Sequence, residues 1–302
     1  FFTELDDAGA LTLPLTTVPD FYHVSKNISD PTVDGEGWTL RLNGMVERPL
    51  ELTYEQVVGR ATVRKITTLG CISNELNGEL IGTAEWQGVP LRDLLVEAGV
   101  DPAAVDLVFR CADDYADSIP LAQGMDPDTL LVVGMNGEPL APDHGYPARM
   151  IVPGIYGMKN VKWLQSIEAV DVDFKGYWQT RGWSDPAPYQ IWARIDRPED
   201  DASIPAGPAV AAGVASAGDR GVSRVEVSLD DGERWADAPL EPTINPPFTW
   251  VRWVFPFEAV AGGHRMRVRV TDGNGAVATN ERRSPLPDGA TGWPDRSFEV
   301  EG

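Results

Sequence analysis

From Trp38 to Val46 apolar and polar side chains alternate, with Trp38, Leu40 and Leu42 on one face and Thr39, Arg41 and Asn43 on the other, the period of a half-buried strand. The pattern then shifts. Thr53-Tyr54-Glu55-Gln56 fits a capping box opening a short helix. TVRKITTL reads as a strand running into Cys71, and PLRDLLVEA as a helix: Pro90 stands at a first helical position, Leu91, Leu94 and Leu95 share a face, and Gly99 follows the end. VDLVFRC, TLLVVGM, PARMIVP and VKWLQSIEAVDV predict further strands, with Asn136-Gly137 as a hairpin turn. The expectation for residues 1–190 is a mixed α+β domain with much irregular loop.

Between residues 184 and 210 the texture changes to SDPAPYQ and IDRPEDDASIPAGPA, a linker composition that places a boundary near residue 190. Beyond it VSRVEVSL, the turn Asp230-Asp231-Gly232, TWVRWVFPF and RMRVRVTDGNG alternate with no helical stretch, which predicts an all-β sandwich over residues 191–302. Gly273-Asn274-Gly275-Ala276-Val277-Ala278 matches a dinucleotide-binding pattern but sits between strands with no helix after it, so the glycines are read as turn residues.

Charge narrows the partners. A net −21, with 46 acidic against 25 basic residues, repels a phosphate backbone and excludes nucleic acid. It reads as a solvated acidic coat, or as a surface for docking a basic electron carrier. No apolar run reaches the roughly 18 residues of a membrane span. A chain opening on Phe1 fits a mature protein trimmed of a leader or anchor, and the expectation is an extracytoplasmic location. The 2 cysteines fall far below the density of a disulfide-built fold, and the 3 histidines lack zinc-ligand spacing. Cys111 belongs to a buried strand, whereas Cys71 stands on a loop after a strand and a glycine.

Three segments of the first region carry chemistry together: TLGCISN continuing to IGTAEWQGVPLRDLL; DDYADSIPLAQGMDP; and MNGEPLAPDHGYPARMIVPGIYGMKNVKWL. In this order, over roughly Phe21 to Trp183, they resemble the molybdopterin domain of the sulfite oxidase family, and the second region resembles that family's immunoglobulin-like dimerisation domain. The resemblance implies a molybdenum cofactor with Cys71 as the protein ligand to the metal. It implies pterin contacts from His144, Arg149 and Lys162, from Asp113, from Asn160 and Val161, and from Tyr22, His23 and Lys26 at the start of the domain. Tyr115 aligns with the family's active-site tyrosine. These residue types suit such a cofactor, since a thiolate holds a soft metal and arginine offers a fixed fork to a buried phosphate. Lys162 is one of five lysines and falls in the apolar run VKWL, where it reads as a strand residue.

The resemblance further implies two-electron oxygen-atom transfer on a small oxyanion or an S- or N-oxide. Sulfite oxidases meet their dianion with arginines, one of them four or five positions after the cysteine and another in the early loop; here those positions hold Glu75, Leu76 and Ser25. Glu75 is expected at the pocket mouth, where it would repel sulfite. Arg181, Arg194 and Arg252 are candidates to reach over from elsewhere. A sulfoxide or other oxide reductase, and a binding relative without turnover, are the alternative readings. No C-x-x-C-H attachment is present and no haem is expected, so electrons pass to an external cytochrome or membrane redox subunit. A homodimer through the second domain is a further implication.

Overall fold

The computed structural model describes residues 2–242 and 247–302. Strands dominate it. The substantial helices expected from the capping box and from PLRDLLVEA are present at Tyr54–Arg60 and Leu91–Ala98, but each is little more than two turns long at most, so the α+β expectation gives way to a mostly β architecture. Thr53 accepts from Gln56 N while the Gln56 side chain accepts from Thr53 N, and Gly99 takes the left-handed conformation that ends the second helix.

In the amino-terminal part, β1 (Thr39–Gly44), β2 (Leu50–Thr53), β3 (Val63–Gly70), β4 (Ile81–Pro90), β5 (Asp106–Cys111), β6 (Ala116–Pro120), β7 (Leu130–Met135), β8 (Glu138–Pro139), β9 (Arg149–Ile151) and β10 (Leu164–Val170) make two sheets. One runs β2-β1-β10-β5-β6, the other β3-β4-β7-β8 with β9 beside β7. Leu40, Leu42, Leu107, Phe109 and Ile167 of the first sheet share a core with Leu91, Leu94 and Leu95 of the helix. Asn136 and Gly137 both carry positive φ in the turn from β7 to β8, as the hairpin reading requires. β3 and β4 pair antiparallel from Val63 opposite Gly88 to Gly70 opposite Ile81, so residues 71–80 form the loop of a long hairpin.

Lys162 departs from expectation. It precedes β10 and is not part of it, because Trp163 takes φ +52°, breaks the extended run and lets the strand start at Leu164. The segment carrying Lys162 therefore wraps inward as irregular chain.

The carboxy-terminal part contains β11 (Trp192–Arg197), β12 (Ala202–Pro205), β13 (Gly207–Ser216), β14 (Val222–Ser228), β15 (Ala236–Ala238), β16 (Val251–Ala259), β17 (Gly262–Asp272) and β18 (Asp295–Glu301). A sheet β11-β13-β16 faces a sheet β12-β18-β17-β14-β15 across one core containing Ile195, Trp253, Val227, Val268 and Phe298. Gly273 to Gly275 turn the chain after β17, where the Asp272 carboxylate accepts from Asn274 N and Ala276 N. Among the described residues no helix is long and apolar enough to cross a membrane.

The two parts are joined at the 71–80 hairpin. Ile81 and Leu76 pack with Trp192, Val214 and Trp250. Thr68 N donates to Phe248 O at 2.9 Å, and Trp250 N donates to Thr68 Oγ1 at 2.7 Å. Arg252 forks between Asp6 and Glu241, and Arg194 bonds Asp196 and Thr12, so neither arginine reaches over a site on the amino-terminal part.

Candidate functional site

A cleft of about 220 Å³ opens on the amino-terminal part, where the 71–80 loop, the 111–115 turn, residues 21–26 and the segment 143–163 converge. Cys71 stands on its wall, half-buried, with Sγ 3.0 Å from Ser73 Oγ. The loop under it is braced from both ends. Cys71 N donates to Leu80 O, Asn74 Oδ1 accepts from Leu80 N, and Gly70 N donates to the Tyr189 hydroxyl at 2.5 Å. Farther along, Trp192 Nε1 donates to Glu75 O, and Asn77 bonds Ile195 N and Asp295 O. The carboxy-terminal part thus fixes the loop that carries the thiol.

Opposite Cys71 the wall is cationic. Arg149, 4% exposed, donates from Nη1 to His144 O and from Nη2 to Asn160 O, and lies over the Trp86 ring at 5.0 Å. Its Nε is buried and has no partner among the described residues. Desolvation pulls the guanidinium down to about 10, an indication of how poorly its charge is compensated. Lys162 donates to Ser25 Oγ and Asp143 O, and burial, with Arg149 nearby, lowers it to about 8. Among the described residues no carboxylate lies within ion-pairing distance of either cation.

The remaining lining residues supply directional polar groups. His144 Nε2 lies 2.9 Å from Val18 O, which can only accept, so Nε2 carries the hydrogen; burial lowers its basicity and leaves Nδ1 a neutral acceptor. Asn160 is tied down by Val152 N and the carbonyls of Ile155 and Tyr156, which aligns the backbone on either side of Val161. Asp113 is buried at the turn before Tyr115 and accepts from Tyr115 N. Lys26 reaches across to Asp113 O at 2.6 Å. Tyr22 lines the cleft over Gly157, where a Cβ would meet its hydroxyl at 2.6 Å; a side chain larger than glycine would push the tyrosine out.

Of the residues singled out from sequence, Cys71, Tyr115, Tyr22, Lys26, Asp113, His144, Arg149, Asn160, Val161 and Lys162 all line this cleft. His23 does not. Its side chain points to the surface, 2.7 Å from Asp30. Glu75 is likewise absent from the cleft wall; it is exposed on the loop, with its backbone carbonyl accepting from Trp192 Nε1, whereas Ser25 lines the cleft. Arg181 stacks on Tyr177 at 3.6 Å on the exposed side. Ile72, Met158, Trp178 and Trp183, which no sequence pattern singles out, make the cleft wall apolar. The two tryptophans come from an irregular segment with no periodicity, and only the aromatic character of YWQTRGW hints at a wall.

Around Tyr115 the chemistry differs. Its hydroxyl lies 2.8 Å from Asp117 Oδ2 and 2.9 Å from Met158 O. Both neighbours accept, so toward the cleft the phenol oxygen offers lone pairs.

Comparison with known proteins fits this geometry. Residues 27–178 match the model of the oxidoreductase molybdopterin binding domain. Barley (Hordeum vulgare) nitrate reductase [NAD(P)H] is 32% identical over 85% of this chain and 36% of its own length, and rat (Rattus norvegicus) mitochondrial sulfite oxidase is 34% identical over 57% and 37%. The chain thus spans little more than a third of these two relatives. The crystal structure of sulfane dehydrogenase SoxCD from Paracoccus pantotrophus superposes with a TM-score of 0.77 at 26% identity, covering 90% of this chain and 80% of that one. With half its residues matching the family model, the chain belongs to the sulfite oxidase family of molybdopterin-binding oxidoreductases.

Proposed function

We propose that the cleft binds a molybdopterin cofactor, with Cys71 Sγ as the protein ligand to molybdenum, and that the chain catalyses two-electron oxygen-atom transfer on a small substrate of low charge centred on sulfur or nitrogen. One observation carries the reading: a half-buried thiol shares its cleft with a buried arginine and a partly buried lysine, neither of which has an ion-pair partner among the described residues, and the arginine's Nε is unpaired there. An uncompensated buried charge costs several kcal/mol, and an incoming phosphate removes that cost through charge-assisted hydrogen bonds. When bound, the cofactor supplies a metal that cycles between oxidation states and exchanges oxygen with substrate and water.

The chain's own residues do the rest. Arg149 and Lys162 would hold the anionic end, and His144 Nδ1 and the Asp113 carboxylate would offer acceptors to the ring system. Tyr115 takes protons from the cleft. Ile72, Met158, Trp178 and Trp183 exclude water and meet an apolar substituent, and with Ser25 at the wall the chain places no arginine fork there for a dianion. A thioether and its sulfoxide fit such a wall better than sulfite does. Electrons leave to an external one-electron carrier. The carboxy-terminal sandwich is read as the immunoglobulin-like dimerisation module, in a protein working outside the cytoplasm; a monomer in sedimentation would count against the first of these.

Protein made in a molybdopterin-competent host is expected to carry about one molybdenum per chain, lost in Cys71→Ser. No metal in the wild type, with Cys71 freely alkylated, overturns the assignment. An aryl methyl sulfide or sulfoxide is expected to exceed sulfite in kcat/KM by about tenfold or more, equivalent to roughly 1.4 kcal/mol of transition-state binding; preference for sulfite refutes the substrate class.

A further inference from the structure

Oxygen-atom transfer to a substrate X consumes water and releases charge: X + H2O gives XO + 2 H⁺ + 2 e⁻. The electrons go to the one-electron carrier, but the two protons must also leave a cleft whose wall is largely apolar. Tyr115 is the cleft residue whose hydroxyl meets a carboxylate, and that carboxylate is not solvated. Asp117 is fully buried on β6. From it a continuous series of short contacts leads outward: Asp117 Oδ1 to Lys159 Nζ at 3.0 Å, Lys159 Nζ to Asp185 Oδ1 at 3.0 Å, and Asp185 Oδ2 to Lys175 Nζ at 2.6 Å. Lys159 is 3% exposed, whereas Asp185 and Lys175 are 33% and 43% exposed, so the series starts inside and ends in water.

We propose that Tyr115, Asp117, Lys159 and Asp185 form a proton path between the cleft and the surface, with Asp117 the positioning and proton-accepting residue behind Tyr115. This rests on the oxygen-transfer reading above. In the step itself the phenol oxygen takes a proton from the cleft while its own O–H bond breaks and a new O–H bond forms on Asp117 Oδ2. Rotation of the Asp117 carboxyl group then carries the proton from the Oδ2 side to the side facing Lys159, and Asp117 passes it to Lys159 Nζ as Lys159 gives one of its own to Asp185, which releases it to solvent. No group changes oxidation state, and each member returns to its starting state once the Tyr115 hydroxyl and the Asp117 carboxyl turn back. In the reverse reaction the same path runs inward.

The surroundings suit transfer. Burial raises Asp117 above the usual carboxylate range, while the Lys159 ammonium and the donors Ser118 N and Tyr115 act to lower it. The other charged or titratable groups facing this pair are Cys111 and Asp113 at the end of β5, with Asp185 on the linker; Gln179 Nε2 adds a neutral donor at 3.3 Å. A structural ion pair needs one carboxylate for its lysine. Lys159 has two, the buried Asp117 that meets the cleft tyrosine and the partly exposed Asp185.

The test uses the cofactor-loaded chain carrying Asp117→Asn, with Asp185→Asn as a second variant that leaves Lys159 paired to Asp117. Molybdenum content is measured first, and wild-type content in both variants separates failure of the path from failure of the cofactor assignment. For Asp117→Asn, kcat is expected to fall about 10- to 100-fold with KM little changed, with a larger solvent deuterium isotope effect and an altered pH profile. Asp185→Asn is expected to show a smaller loss that added imidazole buffer relieves. A readout without turnover follows from the Tyr115–Asp117 bond: in ultraviolet difference titration against Tyr115→Phe, the Tyr115 phenol is expected to ionise at lower pH once Asp117 is neutral. A metal-loaded Asp117→Asn protein with wild-type kcat and pH profile overturns the proposal. If Asp117→Asn does not fold, a wild-type kcat and isotope effect in Asp185→Asn overturns it instead.

Discussion

Arg149 and Lys159 are both buried cations beside the same cleft, yet their surroundings are opposite. Lys159 is enclosed by Asp117 and Asp185, so its charge is closed within the protein. Arg149 has two carbonyl oxygens, an aromatic face and an Nε with nothing to donate to. A cation without a counter-ion is tolerated inside a protein where a ligand brings the missing charge. On the two proposals above, the wall of Arg149 takes the anion and that of Lys159 moves protons, although the two lysines, Lys159 and Lys162, are three residues apart in sequence.

Removing each charge breaks or confirms the contrast. Lys159→Met leaves two carboxylates facing an apolar group and is expected to cost about 3–5 kcal/mol of stability. In cofactor-free protein Arg149→Met is expected to change stability little, since relief of the unpaired charge offsets the loss of two carbonyl hydrogen bonds. Cofactor retention, however, should weaken by about 2–5 kcal/mol. Urea unfolding of both cofactor-free variants checks the first pair of outcomes. Equal losses would mean that Arg149 is internally compensated after all.

A smaller effect sharpens the same contrast through pH. Lys162 is depressed from 10.5 to about 8 in the folded chain. Between those values the unfolded chain holds a proton the folded chain lacks, so the cofactor-free protein gains stability from this group as pH rises through that window; below about 8 the cost of burying the ammonium is fully present. Anion binding has the opposite dependence. Sulfate, whose charge is constant over this range, is expected to bind the cofactor-free cleft less well as pH passes 8, by at most about tenfold per unit for one linked proton. Arg149, down only to about 10, sustains the remainder. Sulfate-induced shifts in Tm at pH 7, 8 and 9 measure this, and Lys162→Met should flatten them; a flat wild-type profile removes Lys162 from the anion site.

Much of the cleft is legible in the sequence because local rules and a motif-level resemblance coincide. The β3 strand into Cys71, the Thr53 capping box, the Gly99 stop and the Asn136-Gly137 turn follow from period and turn chemistry alone. What stays hidden depends on contacts remote in sequence. Nothing near Cys71 announces that Tyr189, Trp192 and Asp295 hold its loop. The strand reading of Lys162 fails because a single left-handed residue, Trp163, is invisible to an apolar-run argument. Asp117 lies inside a recognised segment yet has no local signature, since its role emerges only when β6 brings it against Lys159, 42 residues away.

The smallest expected effect concerns Glu75. Its position after the cysteine marks it as a carboxylate that repels a dianion, but the hairpin loop presents its backbone to Trp192 and keeps its side chain off the cleft wall. A charge at that exposed place is screened by water, whereas Ser25 stands on the wall and accepts from Lys162 at 3.0 Å. Glu75→Arg is therefore expected to leave stability within about 0.5 kcal/mol and sulfite kcat/KM essentially unchanged. Ser25→Arg, which adds a fork to the cationic wall, should raise sulfite kcat/KM by about tenfold, roughly the 1.4 kcal/mol of one modest charge contact. Steady-state kinetics on the two variants decide between positions 25 and 75. A gain from Glu75→Arg with none from Ser25→Arg would mean that the loop beyond Cys71 swings its side chains inward during turnover.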